Sequence, residues 1–516
     1  MRALAALLVL SVTAAGCVLI FQQPKVDRIF PGGPGAPGER SVVSPLRVHL
    51  DNGSVAVFPD GATFTADSVS GAGGQLVTFP ENTVRSVARL PLDRVIGAEV
   101  YSTDVDVGAS VAATAAASAA TYAAVGLAAV AVFGSCPTVY ATTADGAALE
   151  AELFSNSIAP LFEMRDRDVL LAAAPDADGV VRLEIRNEAL ETHYIDHLAL
   201  EAVEHAPGQR AVPGEGGTAL VLGRETGPAE ARDRAGRDVR AALAAADGLA
   251  YETADAVTAA VTESDLTDAV TLTFPRPAGD SAAVALRFRS SLLTTVLLYE
   301  HMLAGQGARG LDWIGQDMGS IGAVAEFGDY YLRRLGLRVE VEEGGQFREV
   351  GRVAEAGPVA WAERAVVVPV PDAPQLRVRL RFVAGGWRID RAGLAEVSVR
   401  PTTPVPLVRA TDDDGRELAE LARQLGAADA RHAVRGPGSV FHASFAPPAP
   451  RPGRAQTLFV SAQGHYIEWM RPDWLRRPDR GRFRPSDSTM VAAIGTWRRL
   501  RADYQARFES SRLPVR

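Results

Sequence analysis

His193, His197 and Glu201 in ETHYIDHLALE recur every fourth residue. On a helix this spacing would place three metal-ligating side chains on one face, about 6 Å apart. On a strand, four residues span about 13 Å, too far for two ligands to share an ion. Val181, Leu183 and Ile185 alternate just before them, so a strand is expected, with the histidines as polar residues of a sheet face and no metal or other cofactor. Asp412-Asp413-Asp414-Gly415 has the acidity of a calcium loop but lacks its twelve-residue spacing and closing glutamate. Its expected role is to cap the helix ELAELARQL. No G-x-S-x-G elbow, phosphate-binding loop, H-E-x-x-H or C-x-x-C occurs, so no catalytic residue is assigned. The most suggestive stretch is SAQGHYIEWMRPDWLRRPDRGRFRP. It sets His465, Tyr466, Glu468, Trp469 and Trp474 beside Arg471 and further arginines. Aromatic rings stack on sugar rings, and guanidinium groups pair with carboxylates or phosphates. A binding surface for a glycan or an envelope protein is expected there if Trp469 or Trp474 is exposed. The opposing reading has both tryptophans filling core.

Cys17 closes the leader MRALAALLVLSVTAAGC. Arg2 is a short positive region, Ala3 to Val12 an apolar segment too short to span a bilayer, and Ala14-Ala15-Gly16 are small, as a signal peptidase requires. The segment resembles the lipobox of bacterial lipoproteins, with Ala14 where leucine is usual. The resemblance implies a diacylated Cys17 as mature N-terminus and, since Val18 is not aspartate, an outer-membrane protein facing the periplasm or the surface. An uncleaved anchor over Ala3 to Phe21 and plain secretion are the other readings.

Behind these residues the chain reads as mainly β with added helices. Residues 18–43 are expected as a Gly/Pro tether, 44–104 as a small β domain built on hairpin dipeptides such as Asn52-Gly53, and 107–133 as an Ala-rich apolar helix. By length 107–133 could cross a membrane, and by its alanine content it could equally be a buried helix. Next come a β domain at 136–210, a linker or helical region at 211–265, a β-sandwich-like domain with helices at 266–400 and late strands at 401–485. An amphipathic helix at 486–516 is capped by Ser486 or Asp487 and carries Met490, Ile494, Trp497, Leu500, Tyr504 and Phe508 on one face.

With 516 residues, 47% of them hydrophobic and 22% charged, the chain can build several cores. A net charge of −9 argues against a nucleic-acid partner. Two cysteines, Cys17 and Cys136, make neither a disulfide framework nor a zinc cluster. The segments FGSCPTVYATTADG, RNEALETHYIDHLALEAVEH and AQGHYIEWMR resemble a family of secreted or lipid-anchored bacterial proteins with S-C-P-x-x-Y and R-N-E-x-x-E-x-x-Y-I-D/N-H-L blocks. The resemblance implies an envelope protein and no particular activity. The expectation is a lipid-anchored structural or binding protein of the cell envelope, held to the membrane by Cys17 and, if it spans, by 107–133. The alternatives are an envelope hydrolase with its site between β domains and a subunit of a membrane complex.

Overall fold

The computed structural model describes residues 25–29, 40–43, 46–102 and 136–510, apart from gaps at 52–53, 59, 79–83, 144–145, 190, 311–312, 314–317, 319–320, 436–438, 469–473 and 475–476. Cys17 and its leader, the Ala-rich segment 107–133, Trp469 and Arg471 lie outside the described residues. Among the described residues no helix is long and apolar enough to cross a membrane.

The N-terminal unit is a β domain. Leu46–Leu50 and Val55–Phe58 pair as the hairpin expected around 51–54. Leu46, Val48, Ala56, Phe58 and Val69 fill its core. Two pieces of the expected tether belong to it instead. Lys25–Ile29 pairs with Val95–Ser102, and Arg40–Val42 pairs with Ala62–Phe64. Backbone pairing in a sheet recruited these short polar runs although their composition gave no strand signal.

The larger unit begins with a nine-stranded antiparallel sheet. Its strands in chain order are β1 (Thr138–Thr143), β2 (Gly146–Glu152), β3 (Met164–Leu170), β4 (Val181–Arg186), β5 (Glu191–His205), β6 (Thr403–Thr411), β7 (Ala433–Arg435), β8 (Val440–Phe445) and β9 (Ala455–Glu468). They lie side by side as β2-β1-β4-β8-β6-β5-β9-β3, with β7 also on β5. The stretches 136–210 and 401–485 thus share one sheet, because β5 pairs with β9 over almost its full length. The outer strands β2 and β3 approach each other, so the sheet curls around a single core of Val181, Leu183, Ile185, Leu200, Phe441, Phe445 and Val460. Each such side chain contributes about 1.5–3 kcal/mol by leaving water. Ile195 and Leu198 both enter this core. Strict alternation would send residues three apart to opposite faces. A bulge at Asp196, where the register passes from Ile195 to His197, resets the parity.

A β-sandwich follows. One sheet orders Glu230–Asp233, Thr267–Pro275, Gln375–Val383, Leu337–Glu343 and Gln346–Val353; the other orders Tyr251–Glu252, Trp387–Ala395, Ser281–Ser290 and Ala362–Pro369. Phe274, Phe288, Leu380, Phe382 and Trp387 interdigitate between them. A third sheet, Arg210–Pro213, Thr218–Leu222 and Val397–Pro401, shares a small core with Ala283 and Ala285 of the sandwich and Phe459 of β9. The region expected as linker or helix at 211–265 is mostly loops and turns, which carry the short strands Arg210–Pro213, Thr218–Leu222, Glu230–Asp233 and Tyr251–Glu252 and the short helices Arg240–Leu243 and Asp255–Ala259.

The C-terminal helix runs Asp487–Ser510. Ser486 Oγ accepts from Thr489 N at 3.2 Å, an N-cap. Met490, Ile494, Trp497 and Tyr504 are buried along one face, with Leu500 half-buried. The acidic run at 412 does not cap the helix Ala419–Leu425, which starts at Leu418 with no side-chain cap. Asp412 instead closes a turn, accepting from Arg416 N at 2.8 Å, with Gly415 at φ 76°.

Candidate functional site

Strand pairing assembles a polar cluster on the curled sheet. Tyr194 of β5 lies opposite His465 of β9, and Met164 opens β3 opposite Gly464. The residue before Met164, Glu163, therefore reaches His465. On the other side of β5, Ala433 lies opposite Ile195, which brings His432 beside the Asp196 bulge. Glu163 Oε2 accepts from His432 Nε2 at 2.7 Å and from His465 Nδ1 at 2.8 Å. Gln463 Nε2 donates to Glu163 Oε1 and to Asp196 Oδ2, each at 3.2 Å.

The rings are held in place. Tyr194 stacks on His465 with centroids 4.7 Å apart and planes 5° from parallel. His432 meets His465 edge-on at 5.1 Å. A Cβ on Gly464 would fall 2.4 Å from the Tyr194 carbonyl oxygen and 2.9 Å from the Phe154 ring, so only glycine lets the strands close here. Burial pulls the His465 imidazole down to about 4 against the opposing pull of Glu163. Burial pushes the Glu163 carboxyl up, but the two histidine hydrogen bonds outweigh it and hold it well below the usual carboxylate range. At neutral pH the pair is a carboxylate and a neutral imidazole.

Of the aromatic–arginine stretch, His465, Tyr466, Glu468 and Trp474 are all buried. The first three belong to β9 and form no exposed platform, because their side chains are buried in the fold. His193, His197 and Glu201 do lie on a strand, and each has a different partner. His193 Nε2 bonds Glu191 Oε1 at 2.6 Å, His197 Nδ1 bonds the Leu425 carbonyl at 3.1 Å, and Glu201 takes Arg165 and Arg167. Cys136 is buried at φ 78°, its amide donating to Glu191. The sequence offered His465 for a different role and gave no sign of Glu163 or His432, which stand 302 and 33 residues from it.

A second candidate is a cleft of about 680 Å³ bounded by β2 and β3, the Arg210–Leu222 hairpin and the sandwich strands Gln346–Val353 and Ala362–Pro369. Arg364 bonds Asp168 at 2.8 Å and stands 3.7 Å from Asp166. Burial, with the charge of Asp168 behind it, pushes Asp166 up to about 6 despite Arg364. Burial, reinforced by Glu152, pushes Glu355 up to about 7. Asn156 Nδ2 donates to the Glu355 carbonyl at 2.9 Å. A Cβ at Gly357 would lie 2.0 Å from the Glu152 carboxylate, so this glycine lets Glu152 accept from Val359 N at 2.8 Å. Trp361 lines the wall with the Arg287 and Arg289 guanidiniums 5.1 and 4.6 Å from its ring.

No family model matches the chain, and no curated protein matches it. Three solved structures show partial likeness. TmCBM61 in complex with beta-1,4-galactotriose is 10% identical over 39% of this chain and 88% of its own, with a TM-score of 0.12. The cycloalternan-forming enzyme from Listeria monocytogenes, in complex with a pentasaccharide substrate, is 10% identical over 70% of this chain and 29% of its own, at 0.15. The GH31 alpha-xylosidase from Xanthomonas citri is 10% identical over 86% of this chain and 38% of its own, at 0.14. TM-scores of this size establish neither a shared architecture nor a shared site.

Proposed function

We propose that this is a cell-envelope protein, anchored through an acylated Cys17, that binds a neutral saccharide in the cleft between the curled sheet and the sandwich. The observation that carries the reading is the lining of that cleft. Its volume of about 680 Å³ falls in the range of small-ligand sites. Carboxylates at Asp166 and Glu355, the Arg364 guanidinium and the Asn156 amide follow one another around it. Mixed donors and acceptors suit a polyol, which presents hydroxyls in every direction, and Trp361 offers apolar area to a ring face.

Calorimetry of the full-length protein against a panel of neutral oligosaccharides tests the reading. The expected result is binding that weakens at least about tenfold in Asn156→Ala and Asp166→Asn, the size of one lost hydrogen bond. A panel without a ligand, or a ligand indifferent to both substitutions, overturns it. Mass spectrometry of the mature N-terminus tests the anchor: a diacylated Cys17 supports it and an intact leader removes it. Hydrolysis in the same cleft is a second reading, favoured by two carboxyls, Asp166 and Glu355, in its lining that burial pushes up and that could serve as proton donor or acceptor. New reducing ends on incubation with a bound oligosaccharide would establish it.

A further inference from the structure

We propose that Glu163, His432 and His465 bind one zinc ion, at a site separate in its residues from the cleft and independent of the saccharide reading. Two imidazoles and one carboxylate are a ligand set that zinc accepts with a fourth position left open. One donor atom from each side chain lies within 4.8 Å of the other two. The three come from the lead-ins to β3 and β7 and from β9, so the folded sheet, not local sequence, holds them together.

The surroundings are those of a positioned ligand set. Gln463 fixes the Glu163 carboxylate and is itself tied to Asp196, the kind of outer partner that orients metal ligands. Tyr194 fixes the His465 ring plane. Glu163 and His432 keep 15% and 19% of their side-chain surface exposed, which gives an ion a way in, whereas His465 keeps 3%.

The test is a zinc titration of the full-length protein, purified in detergent and stripped with EDTA, followed by calorimetry and by the visible spectrum of the cobalt-substituted form. The expected result is one equivalent bound below micromolar concentration, with tetrahedral cobalt bands. His432→Ala and Glu163→Gln should each weaken binding at least about 100-fold, since loss of an outer partner alone costs 10–100-fold. His442→Ala, which alters a half-exposed histidine paired with Asp413, should bind as the wild type does. Circular dichroism confirms that each variant is folded; because His432 is partly exposed, its removal should leave the fold intact. No stoichiometric binding by the stripped wild type, or binding unchanged in both cluster variants, means that the histidines and Glu163 form a structural bridge only and overturns the proposal. Equal loss in His442→Ala would mean non-specific surface binding and overturns it too.

Discussion

Two histidine–glutamate pairs lie near each other on the β5–β9 seam and have been finished differently. His193 and Glu191 are sealed, at 1% and 0% exposure, with a 2.6 Å bond between them. Glu191 also takes the amide of Cys136, so backbone supplies its further partner. His465 and Glu163 make a similar bond at 2.8 Å, but Glu163 remains partly exposed and its further partner is a second imidazole. The pairs use the same residue types. What differs is the segment that arrives beside them: the start of β1 at one, the loop before β7 at the other. The first arrangement holds a sealed carboxylate between an imidazole and a backbone amide. The second leaves three donor atoms around a point that solvent can reach.

The contrast can be broken at several strengths. His193→Ala should cost the most, about 3 kcal/mol in urea unfolding, because it strands a sealed carboxylate and leaves a void; a cost no greater than that of His432→Ala would erase the distinction. Zinc at 100 times its dissociation constant should then stabilise the wild type by about 2.7 kcal/mol and leave His432→Ala unmoved in a thermal melt. Next comes acid. Burial first, then the charge of Arg435, holds His193 down to about 3, against about 6.5 in the unfolded chain. The unfolded state therefore binds more protons between those values, so the stability is full above about pH 6.5 and drains as pH falls towards 3. Between pH 6.5 and 5 the loss from this one group reaches about 2 kcal/mol, and His193→Gln should show a flatter profile when unfolding is followed across that range. The smallest effect is His432→Ala without metal. A partly exposed imidazole should cost under about 1 kcal/mol, and a larger figure by denaturant titration would make the open pair structural after all.

Much of the fold could be read from the residues. Val181, Leu183 and Ile185 alternate and do line a core. The C-terminal helix presents Met490, Ile494 and Trp497 on its buried face as its period requires. His193 and His197 lie on a strand, as the alternation before them implies. The polar sites were far less legible. Trp474 and Tyr466 looked like a platform because aromatic and arginine residues alternate there, but residue type does not report which face a strand or its neighbours will cover. The Asp196 bulge left no readable mark either, since one inserted residue shifts parity without altering composition.

The sequence by itself determined the local periods: where strands alternate, where the last helix starts and which face it buries, and that no familiar catalytic motif is present. Those properties depend on residues a few positions apart. Only the tertiary structure decided that β1–β5 would share a sheet with β6–β9, that Glu163 would meet His432 and His465, and that Asp166, Arg364 and Glu355 would border one cleft. The physical reason is that such contacts join segments up to about three hundred residues apart. Their geometry is set by strand order, register and a single bulge, and none of these is encoded in any short stretch of chain.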